Sequence, residues 1–261
     1  MEQKELAKLA LEYIDKGIAI PPSIKTVYHY TTVDALVNGI LPEKYKVGKE
    51  VCLRATHYKY VNDPTELMDG YNIMVNTLLK DCPIEKRNEF KKELLKVWKD
   101  TYMISFSCAK NSLPMWNAYG NRGYGIAIEL KRPKTIEARS IVLRCLYTSA
   151  DVSKYLKREC KLPADLLTAY LPLMIKHKAY KYEKEIRFVG DFEGVTTQYR
   201  EKNGFIIPYK SIYFPKEQIK SITIGPCLNP NETYYSLREF LNNRGLEKVP
   251  IIPSFIPFRN L

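Results

Sequence analysis

The stretch YMISFSCAKNSLPMWNAYGNRGYGIAIEL, residues 102–130, contains the local signals that decide the fold class. Tyr102–Ser107 alternates as a β-strand does, and a proline-led turn then opens a short helix over Pro114–Tyr119. A glycine-punctuated loop, Gly120–Gly125, leads into a second strand over Tyr124–Leu130. A short helix set between two short strands favours a mixed α and β architecture.

The rest of the chain repeats this pattern of short strands interrupted by helices. Further strands are predicted at Thr26–Tyr30, Glu50–Thr56, Ser140–Tyr147, Glu185–Val189 and Ser221–Gly225. Helices are predicted at 2–16, at Val33–Asn38 (ended by Gly39), and at Thr65–Lys80, Ile84–Lys99, Pro163–His177 and Glu232–Asn242. We therefore expect a single α+β domain over 1–261, with short, mostly antiparallel strands rather than a parallel βαβ array. Residues 65–99 are a candidate helical insertion, which would cover a cleft or contact a partner.

Composition and charge narrow the class of protein. The 261 residues are 45% hydrophobic, which allows a packed core, and Lys+Arg 41 against Asp+Glu 29 gives a net charge of +12. This balance favours an anionic partner such as nucleic acid or a nucleotide, without choosing between them. The sequence has no apolar run long enough for a membrane span and no signal peptide, so we expect a cytoplasmic protein. Six dispersed cysteines predict reduced thiols, and three histidines without HExxH spacing predict no metal site.

Common catalytic motifs are absent from the sequence. It has no GxxxxGK[ST] phosphate loop and no GxSxG nucleophile elbow. The glycines of 120–125 have GxxGxG spacing and enter a strand, whereas a dinucleotide fingerprint has GxGxxG spacing and enters a helix. These absences argue against a kinase, dehydrogenase or hydrolase that works by the usual mechanism of its class.

Three segments concentrate residues that a site built on strands can use. His29, in YHYTT at 28–32, can hydrogen-bond a ribose hydroxyl, or it is a core histidine. The aromatics of the second segment, Trp116, Tyr119 and Tyr124, can stack on a flat heterocycle, or they are core.

In the third segment, YEKEIRF at 182–188, period-two spacing places Glu183, Glu185 and Arg187 on one face of a strand. That face is either solvated or a site, because carboxylates are costly to bury unless they are paired. Arg54 is a candidate anion contact. Residues 62–66 (NDPTE) fit a helix-capping turn, with Asp63 as the N-cap.

Taken together, these segments resemble a bacterial family known as domain of unknown function 2971 (DUF2971). The matching pieces are YHYTT at 28–32, LRATHYKYVNDPTE at 53–66, residues 105–130, YEKEIRF at 182–188 and SITIGP at 221–226. That family is in turn similar to the ADP-ribosyltransferase fold of the His-Tyr-Glu type. The resemblance implies that the chain consumes NAD. The lack of a long apolar run separately predicts that it binds no membrane.

The resemblance also assigns roles to residues. It makes His29 the ribose contact, Tyr119 (or Tyr124) the nicotinamide-stacking tyrosine and Glu185 the catalytic glutamate. Glu183 completes an ExE pair like that of the arginine-modifying branch, whereas Ser105-Phe106-Ser107 only partly matches the Ser-Thr-Ser strand of that branch. The remaining cofactor contacts expected are Tyr30, Arg54, Trp116 and Arg187, with Arg187 or Arg54 holding the pyrophosphate.

The function expected from this resemblance is cleavage of the nicotinamide–ribose bond. ADP-ribose would pass to a protein or nucleic acid, or to water, in a bacterial toxin or anti-phage defence setting. The alternative is a non-catalytic module that binds a nucleotide or nucleic acid, and a nuclease ranks third because the sequence has no DxD-type metal cluster.

Overall fold

The computed structural model describes residues 23–42, 50–63, 67–77, 79–133, 140–155 and 170–258. Its strands are β1 (Thr26–Thr31), β2 (Glu50–His57), β3 (Tyr102–Ser107), β4 (Ile126–Lys131), β5 (Ser140–Arg144), β6 (Glu185–Gly190), β7 (Thr197–Lys202), β8 (Phe205–Pro215), β9 (Ile219–Ile224) and β10 (Ile251–Pro253). Its helices are α1 (Val33–Ala35), α2 (Met68–Thr77), α3 (Ile84–Trp98), α4 (Leu113–Tyr119), α5 (Ser149–Lys154) and α6 (Pro230–Asn242). Residues 170–174 are also helical. The helix predicted at 2–16 lies outside the described residues, as do positions 64–66 and the first part of the helix predicted at 163–177.

The α+β class expected from the sequence is confirmed. Strand β3 has the predicted bounds, and most of the strand pairs are antiparallel, including β1 with β4 and β5 with β6. The pair of β9 and β10 is parallel, so the sheet is mixed. Within the described parts of the chain, no helix has the length and apolar character needed to cross a bilayer.

The described residues cluster into two compact units, each assembled from separate stretches of chain. The first unit contains the described parts of Ala55–Ile104 and Pro133–Lys210. The second unit contains those of Ile24–Arg54, Ser105–Arg132 and Ser211–Leu261.

The second unit is built on strands in the order β10-β9-β4-β1. Tyr28 of β1 lies opposite Glu129 of β4, which lies opposite Ser221 of β9. The next residue of β1, His29, lies opposite Ile128. Because successive residues of a strand point to opposite faces, Tyr28 and His29 are on different faces of these strands. The face that carries Tyr28, Glu129 and Ser221 is called the polar face below.

The first unit has a hydrophobic core to which both predicted long helices contribute. Met74 of α2 and Trp98 of α3 are almost fully buried and belong to the same cluster as Leu143 of β5 and Val189 of β6. The candidate insertion at 65–99 therefore contributes buried residues to this core.

Several predicted details differ in the structure. The helix predicted at Val33–Asn38 does not stop at Gly39, because the wider helical turns of Leu36–Ile40 continue through it. The strand predicted to end at Tyr147 ends at Arg144, and Leu146 instead forms an isolated parallel bridge with Ile175. Strand β6 is buried along its whole length rather than on one face.

The hairpin of β7 and β8 was not predicted, and neither was β10. Asn203 and Gly204, between β7 and β8, both have positive φ values, of 53° and 81°. A two-residue Asn-Gly connection with both residues at positive φ is a favoured hairpin turn, so this dipeptide is the signal that would have revealed the pair.

Candidate functional site

The first unit contains a buried network of four charged side chains. The Lys176 ammonium donates to Glu183 Oε2 at 2.5 Å and to Glu185 Oε2 at 2.9 Å. Arg187 Nη2 donates to the same Glu185 oxygen at 3.2 Å. All four side chains are at most 4% exposed. The formal charges balance, with two carboxylates against one ammonium and one guanidinium, which makes such burial tolerable.

The local backbone explains how two glutamates separated by one residue reach one lysine. Glu183 ends a 3-10 helix, Lys178–Glu183, rather than lying on the predicted strand. Lys184 then adopts a left-handed conformation, with φ 45° and ψ 50°, before β6 begins at Glu185. Arg187 follows Glu185 by two positions, so both lie on one face of β6, as predicted.

Lys176 is the member of this network that sequence reasoning missed. Its position is fixed by backbone hydrogen bonds from Lys176 N to Leu146 O (3.0 Å) and from Leu146 N to Met174 O (2.7 Å). The signal for it was indirect: two buried carboxylates and a single arginine leave one negative charge to be balanced, and 176–184 is rich in lysine.

A second layer of polar groups surrounds the network. The Tyr147 hydroxyl accepts from Glu185 N–H at 2.7 Å, and the Cys145 thiol donates to Glu185 Oε2 at 3.4 Å. Asn62 donates to Glu183 Oε1 at 3.4 Å. The Tyr180 ring lies 4.8 Å from the Lys176 ammonium, within cation–π range. These contacts hold the charged side chains in a defined geometry.

The neighbouring residue Asp63 is also buried, and its carboxylate accepts from the backbone N–H of His177 at 3.4 Å. Residues 62 and 63, which the sequence suggested only as part of a capping turn, thus contact the segment that carries Lys176.

The electrostatics of the network favour a charged lysine. Burial lowers the pKa of Lys176, but the carboxylates of Glu185 and Glu183 raise it by more, so its net pKa lies above the ordinary value. The pKa of Tyr147 is also raised, chiefly by burial and then by the neighbouring Cys145. Lys176 therefore stays an ammonium at neutral pH, and Tyr147 stays a neutral phenol.

The other predicted site residues lie in the second unit. Tyr30 is buried and donates to Ala109 O at 2.7 Å, and its ring makes an edge contact with the fully buried Trp116. The indole of Trp116 donates to Asn111 Oδ1 at 2.9 Å. These contacts place both rings in the core. For Trp116 this is the second of the two readings of the sequence, a core residue rather than a stacking surface for a heterocycle.

The other predicted site residues of the second unit are more accessible to solvent than Tyr30 and Trp116. The His29 ring lies 3.3 Å from Ser105 O and contacts Phe106 edge-on. Tyr119 is half-buried at the end of α4, Tyr124 is 43% exposed, and Arg54 is exposed on β2. The structure thus brings Tyr30 and Trp116 together and puts His29 on the other face of β1 from Tyr30.

Close packing explains the glycines of residues 120–125. A Cβ atom on Gly125 would lie 2.3 Å from Thr31 O, and one on Gly225 would lie 2.3 Å from Gly123 O. Gly123 itself has a φ of 87°. Backbone approaches this short require glycine, so the spacing of these residues is accounted for without a bound phosphate.

Comparison with known proteins identifies one family. Residues 115–188 match the model of the family described as "Protein of unknown function (DUF2971)". The matched segment contains Trp116, Tyr119 and Tyr124 together with the glutamates and arginine of the buried network, which supports the resemblance to DUF2971. No curated protein and no solved structure matches the chain.

Proposed function

We propose that this protein cleaves the nicotinamide–ribose bond of NAD and transfers the ADP-ribose to a protein or nucleic acid, or to water. The observation that carries the proposal is the buried network around Glu185, in which Lys176 and Arg187 fix one carboxylate oxygen. Buried ionisable groups with strongly perturbed pKa values are typical of functional sites, and Lys176 and Tyr147 are two such groups here. The match to DUF2971 includes Glu185, and the reaction class proposed is the one implied by the resemblance to ADP-ribosyltransferases described for the sequence.

The proposed reaction is a displacement at the ribose anomeric carbon. The carbon–nitrogen bond breaks, its electron pair leaves with nicotinamide, and positive charge develops on the ribose as it does in glycoside cleavage. The acceptor or water then forms the new bond and loses a proton. A carboxylate held in place before the reaction stabilises the developing charge without having to reorganise. In this proposal Glu185 is that carboxylate, and Lys176 and Arg187 are positioning residues.

We place this activity in the bacterial cytoplasm, as a toxin or an anti-phage effector. The net charge of +12 is compatible with a nucleic-acid acceptor.

The test is nicotinamide release from NAD by the full chain, compared with Glu185→Gln. Glu89→Gln is the matched control, because Glu89 is an exposed residue of α3 and undergoes the same chemical change. We expect wild type and the control to release nicotinamide. Glu185→Gln should release it at least about a hundredfold more slowly. Melting curves must show that Glu185→Gln is folded. Equal release by wild type and a folded Glu185→Gln protein would rule the assignment out.

One observation favours a second function, a non-catalytic module that binds a nucleotide or nucleic acid. Glu185 is only 2% exposed and both of its cationic partners belong to the protein itself. In that case the network would only stabilise the first unit. Wild type would release no nicotinamide, and binding to a single-stranded oligonucleotide would weaken steeply with salt, because phosphate contacts release counterions.

A further inference from the structure

We infer that the polar face of the second unit binds the ribose of a nucleotide through Glu129, with Lys131 directed to the phosphate. None of the roles proposed above uses either residue. The inference concerns binding alone and does not depend on cleavage of any bond.

Glu129 is held by two neighbouring hydroxyl groups. Ser221 Oγ donates to Glu129 Oε2 at 2.6 Å. The Tyr28 hydroxyl also hydrogen-bonds to Glu129, and the pKa of Tyr28 is raised, first by burial and then by the negative charge of Glu129. The three residues lie directly opposite one another on β1, β4 and β9, so the strand register fixes their spacing. Since both partners are neutral, they orient the carboxylate without cancelling its charge.

The carboxylate retains acceptor capacity that suits a sugar diol. A carboxylate has about four acceptor positions, and the two hydroxyls use two of them. The vicinal hydroxyls of a ribose offer two donors, and acidic side chains bind ribose in this way in dinucleotide-binding folds. Hydrogen bonds to a charged acceptor are also stronger than bonds between neutral groups.

Exposure along β4 shows from which side a ligand would approach. On the polar face Ala127 is buried, Glu129 is half-buried and Lys131 is exposed. Glu129 therefore lies at the border between the covered part of this face and solvent. Residues two apart on a strand share a face and are about 7 Å apart, so the Lys131 ammonium can reach a phosphate attached to a ribose held at Glu129.

The local charge favours a ligand with an anionic group. The pairing of β4 with β9 shifts register between Glu129 and Leu130, so that Lys220 is an extra, exposed residue of β9 beside Ser221. Such bulges are over-represented at sheet edges and next to active sites. Among the residues that the structure describes, neither Lys131 nor Lys220 forms an ion pair with Glu129. The positive charges of these two exposed lysines oppose a cationic ligand and favour a ribose that carries a phosphate.

The test measures binding of AMP, 2′-deoxy-AMP and adenosine to the full chain by calorimetry. We expect wild type to bind AMP at least about tenfold more tightly than 2′-deoxy-AMP, because the deoxy compound lacks one donor to Glu129. Glu129→Gln should weaken AMP binding by a similar factor and lose the discrimination between the two. Lys131→Gln should weaken AMP binding but leave adenosine binding unchanged.

Two further variants keep this test decisive. Ser221→Ala removes one of the groups that orient Glu129 and should reduce the discrimination, even if Glu129→Gln folds poorly. Glu217→Gln, at an exposed position of the same unit, is the matched control and should bind like wild type. Absence of AMP binding by wild type, or discrimination that persists in both Glu129→Gln and Ser221→Ala, would overturn the inference. Nicotinamide release is measured separately, so a failure here is distinguishable from a failure of the proposed reaction.

Discussion

Replacing Lys176 by methionine is the perturbation that most directly tests the buried network. The change keeps the length of the side chain and removes the ammonium, which lies 2.5 Å from Glu183 Oε2 and 2.9 Å from Glu185 Oε2. With an effective dielectric constant of about 20, each contact contributes about 6 kcal/mol of attraction before desolvation is counted. Of the two cations in the described network, Arg187 would remain, and it contacts Glu185. Removing one partner of a buried ion pair typically lowers the free energy of unfolding by about 3–5 kcal/mol, and we expect a decrease of that size here.

The assay for this prediction is urea denaturation at pH 7.5. The raised pKa of Lys176 ensures that the wild-type ammonium is charged at this pH. Lys92→Met, at an exposed position of α3, is the control and should change the free energy of unfolding by less than about 0.5 kcal/mol.

The double variant Lys176→Met/Glu183→Gln restores the charge balance and should recover part of the loss. A Lys176→Met protein within about 1 kcal/mol of wild type would refute the reasoning, since it would show that the carboxylates do not depend on the ammonium.

Three further predictions concern the second unit. Gly125→Ala should destabilise the protein by more than about 2 kcal/mol in urea denaturation, because its Cβ would lie 2.3 Å from Thr31 O; a change below about 0.5 kcal/mol would contradict this contact. Trp116→Ala should cost about 3–5 kcal/mol of unfolding free energy, whereas Tyr124→Ala, at a 43% exposed position, should cost less than about 1 kcal/mol; equal losses would be inconsistent with the burial described here. Burial raises the pKa of Tyr30 to about 12, so the folded state keeps a proton that the unfolded state loses above pH 10. Stability should therefore fall by about 1 kcal/mol between pH 10 and pH 11, and Tyr30→Phe should reduce that slope in denaturation curves at the two pH values.

Regular local patterns were readable from the sequence. The alternation of Tyr102–Ser107 and the β-branched and aromatic run at Thr26–Tyr30 predicted β3 and β1 almost residue for residue. The hairpin of β7 and β8 was missed because β7 (TQYREK) is largely exposed and has no apolar alternation to detect.

The candidate site was only partly readable, for a different reason. The spacing of Glu185 and Arg187 was visible in the sequence, and so was the cost of burying them. Their main partner, Lys176, comes from a segment whose position depends on the bridge between Leu146 and Ile175, a contact that no local pattern signals. The polar face likewise depends on the register of three strands, which a single sequence does not specify.

The buried network also bears on how the first unit folds. Its members come from position 62, from 145–147, from 176 and from 183–187, so no single stretch of chain can satisfy the charges alone. A partly folded chain that buried both Glu183 and Glu185 before Lys176 arrived would carry one uncompensated negative charge, because Arg187 balances only one of the two carboxylates, and this disfavours partially collapsed states. We expect these contacts to form late, after the folding transition state. Weakening them would then mainly accelerate unfolding and leave the folding rate almost unchanged, so the network would set how long the folded unit persists.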